Sequence, residues 1–153
     1  MEDCIFCKII NQQIPSFKVH ESKDHLSFLD INPNTKAVTL VIPKKHISST
    51  VINMDNDVFV QTMLEAKKVA EHLSNKLNVQ RVGIAVEGTG VDHFHIKLYP
   101  FYRDPNVDDK KLREIVESRS KPFNDFYQGY LSTQIGPQAN FDELKKISEE
   151  LFF

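Results

Sequence analysis

Polar and apolar side chains alternate without a break over His93-Phe94-His95-Ile96-Lys97-Leu98. In an extended strand every second side chain points to the same face. The pattern therefore predicts a strand over His93–Pro100 that commits Phe94, Ile96 and Leu98 to a core. His93, His95 and Lys97 share the opposite face, spaced roughly 7 Å apart. Such a row can ligate a metal, attack phosphorus or hold an anion. It can also be a solvated strand face that carries two histidines.

The chain has 153 residues, enough for one ordinary domain, and 41% of them are hydrophobic, which can fill a core. A net charge of -2 gives no general attraction to nucleic acid or to an anionic membrane. No apolar run reaches the ~20 residues of a membrane helix. Met1-Glu2-Asp3-Cys4 is acidic and does not read as a targeting peptide. These features predict a cytoplasmic protein, in which Cys4 and Cys7 are thiols or metal ligands rather than a structural disulfide.

Cys4 to Ile10 reads as a short helical or looped segment. Phe17–Glu21 and His25–Leu29 read as strands joined by a turn at Ser22-Lys23-Asp24. Asp30-Ile31-Asn32-Pro33-Asn34 is strongly turn-forming. The β-branched run Val38–Ile42 fits a central strand ended by Pro43. From about Asp55 to Leu77, apolar Phe59, Met63, Ala66, Ala70, Leu73 and Leu77 recur every three or four positions, one stripe on a helix. Arg81–Val86 is another strand, and Glu87-Gly88-Thr89-Gly90 is the loop feeding the histidine strand. Helices are expected at Asp108–Ser118 and Phe141–Leu151, with an irregular segment between them around Phe126–Tyr130 and Gly136-Pro137. The order predicts an α+β fold with a largely antiparallel sheet. Neither a Gly-rich dinucleotide fingerprint nor a phosphate-binding loop is present.

His93-Phe94-His95-Ile96-Lys97-Leu98-Tyr99 resembles the signature of the histidine triad (HIT) family of nucleotide hydrolases and transferases, with lysine in place of the third histidine. Three further blocks resemble that family in the same order: Cys4-Ile5-Phe6-Cys7-Lys8-Ile9-Ile10, Phe28-Leu29-Asp30-Ile31-Asn32-Pro33, and Leu40-Val41-Ile42-Pro43-Lys44-Lys45-His46-Ile47. The resemblance spans about Asp3 to Pro100 and implies a five-stranded antiparallel sheet with a long helix, in many members a homodimer. Residues 1–100 are then the domain core, and 101–153 a C-terminal helical extension packed on the same domain.

The resemblance also implies roles. His95 becomes the nucleophile that attacks the α-phosphate and forms a nucleotidyl-histidine. Lys97 stands beside the phosphate, where a fixed positive charge favours a leaving group that needs little protonation, such as a nucleotide phosphate. Asp30 holds the ribose hydroxyls, or simply begins its turn. Ile5, Phe6, Ile9, Phe28 and Ile31 contact the base, or pack in the core. Gly90 occupies the family's serine position, which leaves Thr89 to offer a hydroxyl to phosphate, with Glu87 and Asp92 adding negative charge nearby. In the zinc-bearing branch Cys4, Cys7, His46 and His93 hold a structural Zn2+ that pins the N-terminus to the sheet. His20, His25 and His72 read as surface or packing residues.

Two functional readings follow, beside a third, a small zinc-stabilised structural protein. One is an enzyme that cleaves dinucleoside polyphosphates or nucleotide conjugates at the α-phosphate through His95. The other is a catalytically weak or inactive nucleotide-binding module. Intact-mass detection of a nucleotidyl adduct separates them.

Overall fold

The computed structural model describes residues 3–103, 125–126 and 136–153. The order is α1 (Ile5–Ile10), β1 (Lys18–Glu21), β2 (His25–Leu29), β3 (Thr39–Pro43), α2 (Asn56–Leu77), β4 (Val82–Ala85), β5 (Ile96–Pro100) and α3 (Phe141–Leu151). The strands make one sheet in the order β1-β2-β3-β5-β4, antiparallel at every pairing. This is the five-stranded α+β architecture expected. The expected helix Asp108–Ser118 and residues 127–130 lie outside the described residues.

Strand alternation gives the sheet two buried faces. On one, Val19, Leu29, Val41, Phe94, Ile96 and Leu98 pack with Ala66, Val69 and Leu73 of α2 and with Leu144 and Leu151 of α3. On the other, Phe6 and Ile9 of α1 cover Leu26, Phe28, Leu40 and Ile42. The six-residue α1 is too short to persist alone, so its place depends on this packing and on the cysteines that flank it.

Helix α2 starts where Asp55 caps it. Asp55 Oδ1 accepts from the backbone N–H groups of Asp57 and Val58 at 2.9 and 3.3 Å. It ends at Asn78, whose left-handed backbone (φ 52°) breaks the repeat. The buried stripe runs through Thr62, Ala66, Val69 and Leu73, with Phe59, Met63, Ala70 and Leu77 half-buried beside it. Thr62 and Val69 widen the stripe read from the sequence. Thr62 is admitted to the interior because its hydroxyl donates to Val58 O at 2.8 Å.

The histidine strand is shorter than expected. Ladder pairing begins at Ile96, opposite Val41. Continuing that register would set Phe94 opposite Pro43, which has no N–H to give. The Phe94 N–H turns instead to Ile47 O at 2.8 Å. His93 sits in a bend and leads through Phe94 and His95 into the ladder, with Phe94 in the α2-facing core and both histidine rings beside Phe6. Phe94 is fully buried, with its ring 6.2 Å from that of Phe59. Phe94→Ala should cost about 3–5 kcal/mol of stability, the usual loss for a buried ring. Urea unfolding measures this. A loss below ~1 kcal/mol would show that the ring does not plug this face.

The C-terminal part returns to the Asp30 turn. Gly136 and Ala139 donate backbone N–H groups to Asn32 O and Ile31 O at 3.2 and 2.9 Å. Gly136 passes so close that an added Cβ would lie 2.1 Å from Pro33 O, so only glycine fits there.

Candidate active site and metal centre

His93 belongs to two constellations at once. Its Nε2–H donates to Pro43 O at 2.8 Å, which fixes the tautomer and leaves the Nδ1 lone pair free. That Nδ1 lies 3.5 Å from Cys4 Sγ and 3.6 Å from Cys7 Sγ, while Cys7 Sγ lies 3.3 Å from His46 Nδ1. The four ligand atoms all fall within 4.8 Å of one another. A tetrahedral ion with Zn–S near 2.3 Å and Zn–N near 2.0–2.1 Å sets its sulfur and nitrogen ligands about 3.5 Å apart. The observed spacings fit that polyhedron. No other group of His, Cys, Asp and Glu among the described residues has such spacing. Burial holds the His93 imidazole below its usual pKa, in the neutral form that a ligand needs. Burial and then the neighbouring Cys4 push the Cys7 thiol up. A cation between the sulfurs would offset that cost.

The backbone of the same residue orients His95. The Nδ1–H of His95 donates to His93 O at 2.8 Å. Its Nε2 has no hydrogen-bond partner among the described residues, and it is not one of the unpaired atoms sealed from solvent. The ring is 4% exposed and stands edge-on to Phe6, with centroids 5.4 Å apart. An imidazole held by one nitrogen and open at the other can serve as a base, a ligand or a nucleophile.

Lys97, two residues on, lies between two carboxylates. Its Nζ is 3.4 Å from Glu87 Oε2 and 3.9 Å from Asp30 Oδ2, with its side chain 16% exposed. Asp30 begins its turn, one of the two parts that the sequence left open. Oδ1 accepts the Asn32 N–H at 2.8 Å, closing the turn, and Oδ2 faces the lysine.

The apolar set divides in two. Phe6, Ile9 and Phe28 are buried in the α1 face of the core. Ile5 and Ile31 are 42% and 41% exposed and offer apolar surface to solvent. Thr89 is exposed, and its carbonyl accepts the Val91 N–H at 3.1 Å. Gly88 and Gly90 on either side of it take positive φ, 68° and 82°.

Sequence reading missed Ser48 and Ser49. The Ser49 N–H and the Ser48 hydroxyl donate to Asp92 Oδ1, and the single Ser49 hydroxyl proton is shared between Gly88 O at 3.1 Å and Asp92 Oδ1 at 3.2 Å. These donors hold the Asp92 carboxyl below its usual pKa and tether the loop before His93. The signal was the Ser-Ser-Thr run just after His46-Ile47. His20, His25 and His72 play packing parts. His20 and His72 sandwich the Phe153 ring at 4.3 and 3.7 Å, and His25 pairs with Thr62.

Comparison with known proteins gives a consistent picture. A HIT domain model matches residues 11–103. An uncharacterised HIT-like protein of Borreliella burgdorferi is 38% identical over 72% of this chain and 84% of its own length. The adenosine 5'-monophosphoramidase of Saccharomyces cerevisiae is 37% identical over 97% of this chain and 80% of its own length. Among solved structures, a Zn-bound histidine triad family protein from Mycobacterium smegmatis has the same fold. It superposes with a TM-score of 0.63 at 24% identity, covering 71% of this chain and 81% of that one.

Proposed function

This chain belongs to the HIT domain family, and we propose that it cleaves nucleotide conjugates at the α-phosphorus through a covalent adduct on His95. The observation that carries this reading is the state of one ring. Nδ1 is occupied as a donor to His93 O, and Nε2 keeps an unpaired lone pair. In the first step that lone pair forms an N–P bond as the bond from phosphorus to the leaving atom breaks. The leaving group departs with the bonding pair and takes up a proton. Water then forms an O–P bond as N–P breaks, and a nucleoside monophosphate leaves. The His93 carbonyl stabilises the positive charge that the ring carries while it is nucleotidylated.

In this reading Asp30 Oδ2 accepts from the ribose hydroxyls and Ile5 and Ile31 flank the base, with Phe6, Ile9 and Phe28 packed behind them. Thr89 and the loop N–H groups face phosphate. Cys4, Cys7, His46 and His93 hold a structural zinc ion, which ties three chain segments together and leaves no open position for substrate. Candidate substrates are dinucleoside polyphosphates and nucleotide phosphoramidates, the second suggested by the name of the yeast relative. Mass spectrometry of the intact chain during turnover tests the proposal. A gain of one nucleotidyl group, with release of the monophosphate, is expected. If neither occurs with any adenylated or guanylated substrate, the enzymatic reading is wrong. The ion pairs of Lys97 favour a second reading, nucleotide binding without turnover; retained binding with no adduct would select it.

We also propose a cytoplasmic homodimer. Strand β4 pairs with β5 on one side only, among the described strands, and Ile84 on it and Val60 and Leu64 on α2 are exposed. Sedimentation at micromolar concentration should return twice the 17.7 kDa chain mass. A monomer would refute the dimer.

A further inference from the structure

Ile47, Ser48 and Ser49, which follow β3, form a shelf beside the chain that leads into β5. Ile47 O accepts the Phe94 N–H at 2.8 Å. The Ser48 hydroxyl donates to Asp92 Oδ1 at 2.8 Å, and the Ser49 N–H donates to the same oxygen at 2.9 Å. The Ser49 hydroxyl is shared between Asp92 Oδ1 and Gly88 O. Neither the shelf nor Asp92 lies in the β ladder, so side-chain bonds stand in for strand pairing here. Bonds to a carboxylate are of the stronger, charge-assisted kind. The loop's own bonds are short-range: the Val91 N–H donates to Thr89 O at 3.1 Å and the His93 N–H to Val91 O at 2.8 Å. Such three-residue turns fold the chain on itself and fix nothing outside it. Asp92 is the centre of the second turn, and its side chain ties that turn outward.

We propose that Asp92 is a positioning residue, which through Ser48 and Ser49 holds the peptide between His93 and Phe94 and with it the aim of the His95 ring. The inference rests on the His95 reading above and deepens it. The route runs through one planar unit. The His93–Phe94 peptide is trans, so its N–H and C=O point in opposite directions. The Phe94 N–H points to Ile47 O on the shelf. The His93 carbonyl therefore points away from the shelf, where it accepts the His95 Nδ1–H at 2.8 Å. The peptide is a pivot, with the shelf on one side and the ring on the other. The bond from His93 Nε2–H to Pro43 O holds the His93 imidazole and leaves this pivot to the backbone. Without Asp92, the shelf loses its grip on the loop, the peptide tilts and the acceptor for Nδ1–H leaves its line. An imidazole without that acceptor divides its proton between both nitrogens, and a protonated Nε2 has no lone pair to give. Misdirection and the wrong tautomer then act in the same direction. The sequence showed Asp92 only as nearby negative charge; its part here is geometric.

The test reads the ring apart from the chemistry. In the purified full chain with isotope-labelled histidine, nitrogen NMR should show the His95 ring as the Nδ1–H tautomer, with a slowly exchanging proton. Asp92→Ala should move part of the population to the Nε2–H tautomer. It should also slow adduct formation by on the order of 10- to 100-fold, the scale of a displacement of up to ~1 Å at a reacting group. Nucleotide affinity should change far less, because Asp30, Ile5 and Ile31 are untouched. Asp92→Asn keeps an oxygen for the Ser49 N–H and the Ser48 hydroxyl, and should restore most of both signals. Ser48→Ala should give a weaker loss that adds little to that of Asp92→Ala, since both break the same clasp. If the Asn variant behaves as the Ala variant does, charge rather than hydrogen bonding is at work and the inference is overturned. An unchanged tautomer in Asp92→Ala overturns it too. So does a loss of rate, affinity and zinc in proportion, which marks a purely structural part. If the wild-type chain forms no adduct with any substrate, the His95 reading fails, and the tautomer comparison still decides whether Asp92 aims the ring.

Discussion

His95→Ala should abolish the nucleotidyl adduct and lower turnover by on the order of 10⁴-fold or more, because a missing nucleophile cannot be replaced by its neighbours. Lys97, two residues on, has its Nζ engaged by Glu87 and Asp30. His93 turns its Nδ1 toward the cysteine sulfurs and its Nε2 toward Pro43 O. Neither can attack in its place. The fold should survive the change, since the ring gives one hydrogen bond, to His93 O, and rests edge-on against Phe6. A stability loss of about 1–3 kcal/mol is expected, from that bond and the space left. Nucleotide affinity should persist, because Asp30, Ile5 and Ile31 are untouched. Three measurements on one sample decide the matter: intact mass, monophosphate release and nucleotide affinity. An adduct that still forms in the variant would place the nucleophile elsewhere and remove the central assumption about this site.

Much of this was legible in the chain, and the unreadable parts share a cause. The stripe Phe59–Leu77 and the alternation Phe94-Ile96-Leu98 were readable because period and side-chain type agree locally. Pro43 was read as a terminator, and it is the last residue of β3. Its effect on the facing chain was not readable, because only the register places it opposite Phe94. Cys4, Cys7, His46 and His93 were found by block resemblance, and the structure brings all four together. Glu87 was noticed only as stray negative charge, since nothing local says that the loop after β4 folds back onto Lys97. Ser48 and Ser49 were passed over for the same reason. The split between buried Phe6 and exposed Ile5 depends on which face of a six-residue helix meets the sheet, and one and a half turns carry too little periodicity to say. The stacking of Phe153 between His20 and His72 joins residues more than 80 positions apart. Local pattern thus fixes elements, while charge partners and loop tethers wait for tertiary approach.

Metal removal should be the largest blow to stability. The purified chain is expected to hold one zinc ion, and Cys4→Ser or a strong chelator should release it. The donor set draws on three segments: the turn into α1, the stretch after β3 that carries His46, and the lead-in to β5 that carries His93. Without the ion, α1 is held to the sheet only by Phe6, Ile9 and their half-buried neighbours. Linkage sets the scale. An ion present at 10³ times its dissociation constant adds about 4 kcal/mol to the folded state. For a chain of this size that is a fall in Tm of roughly 10–15 °C. Acid should act in the same direction as chelation, since protons compete for the thiolates and imidazoles that bind the ion. The effect on chemistry should be smaller and indirect. His93 would hold the ion through Nδ1 and orients His95 through its carbonyl oxygen, so a loosened His93 should loosen the His95 ring. At a temperature where the metal-free chain is still folded, the adduct should form more slowly but should form. Calorimetry with metal analysis checks the first expectation, and intact mass at low temperature checks the second. A chelated chain with unchanged Tm would show that the Cys2His2 cluster carries no structural metal. A folded, metal-free chain unable to form any adduct would move the metal from the scaffold into the chemistry.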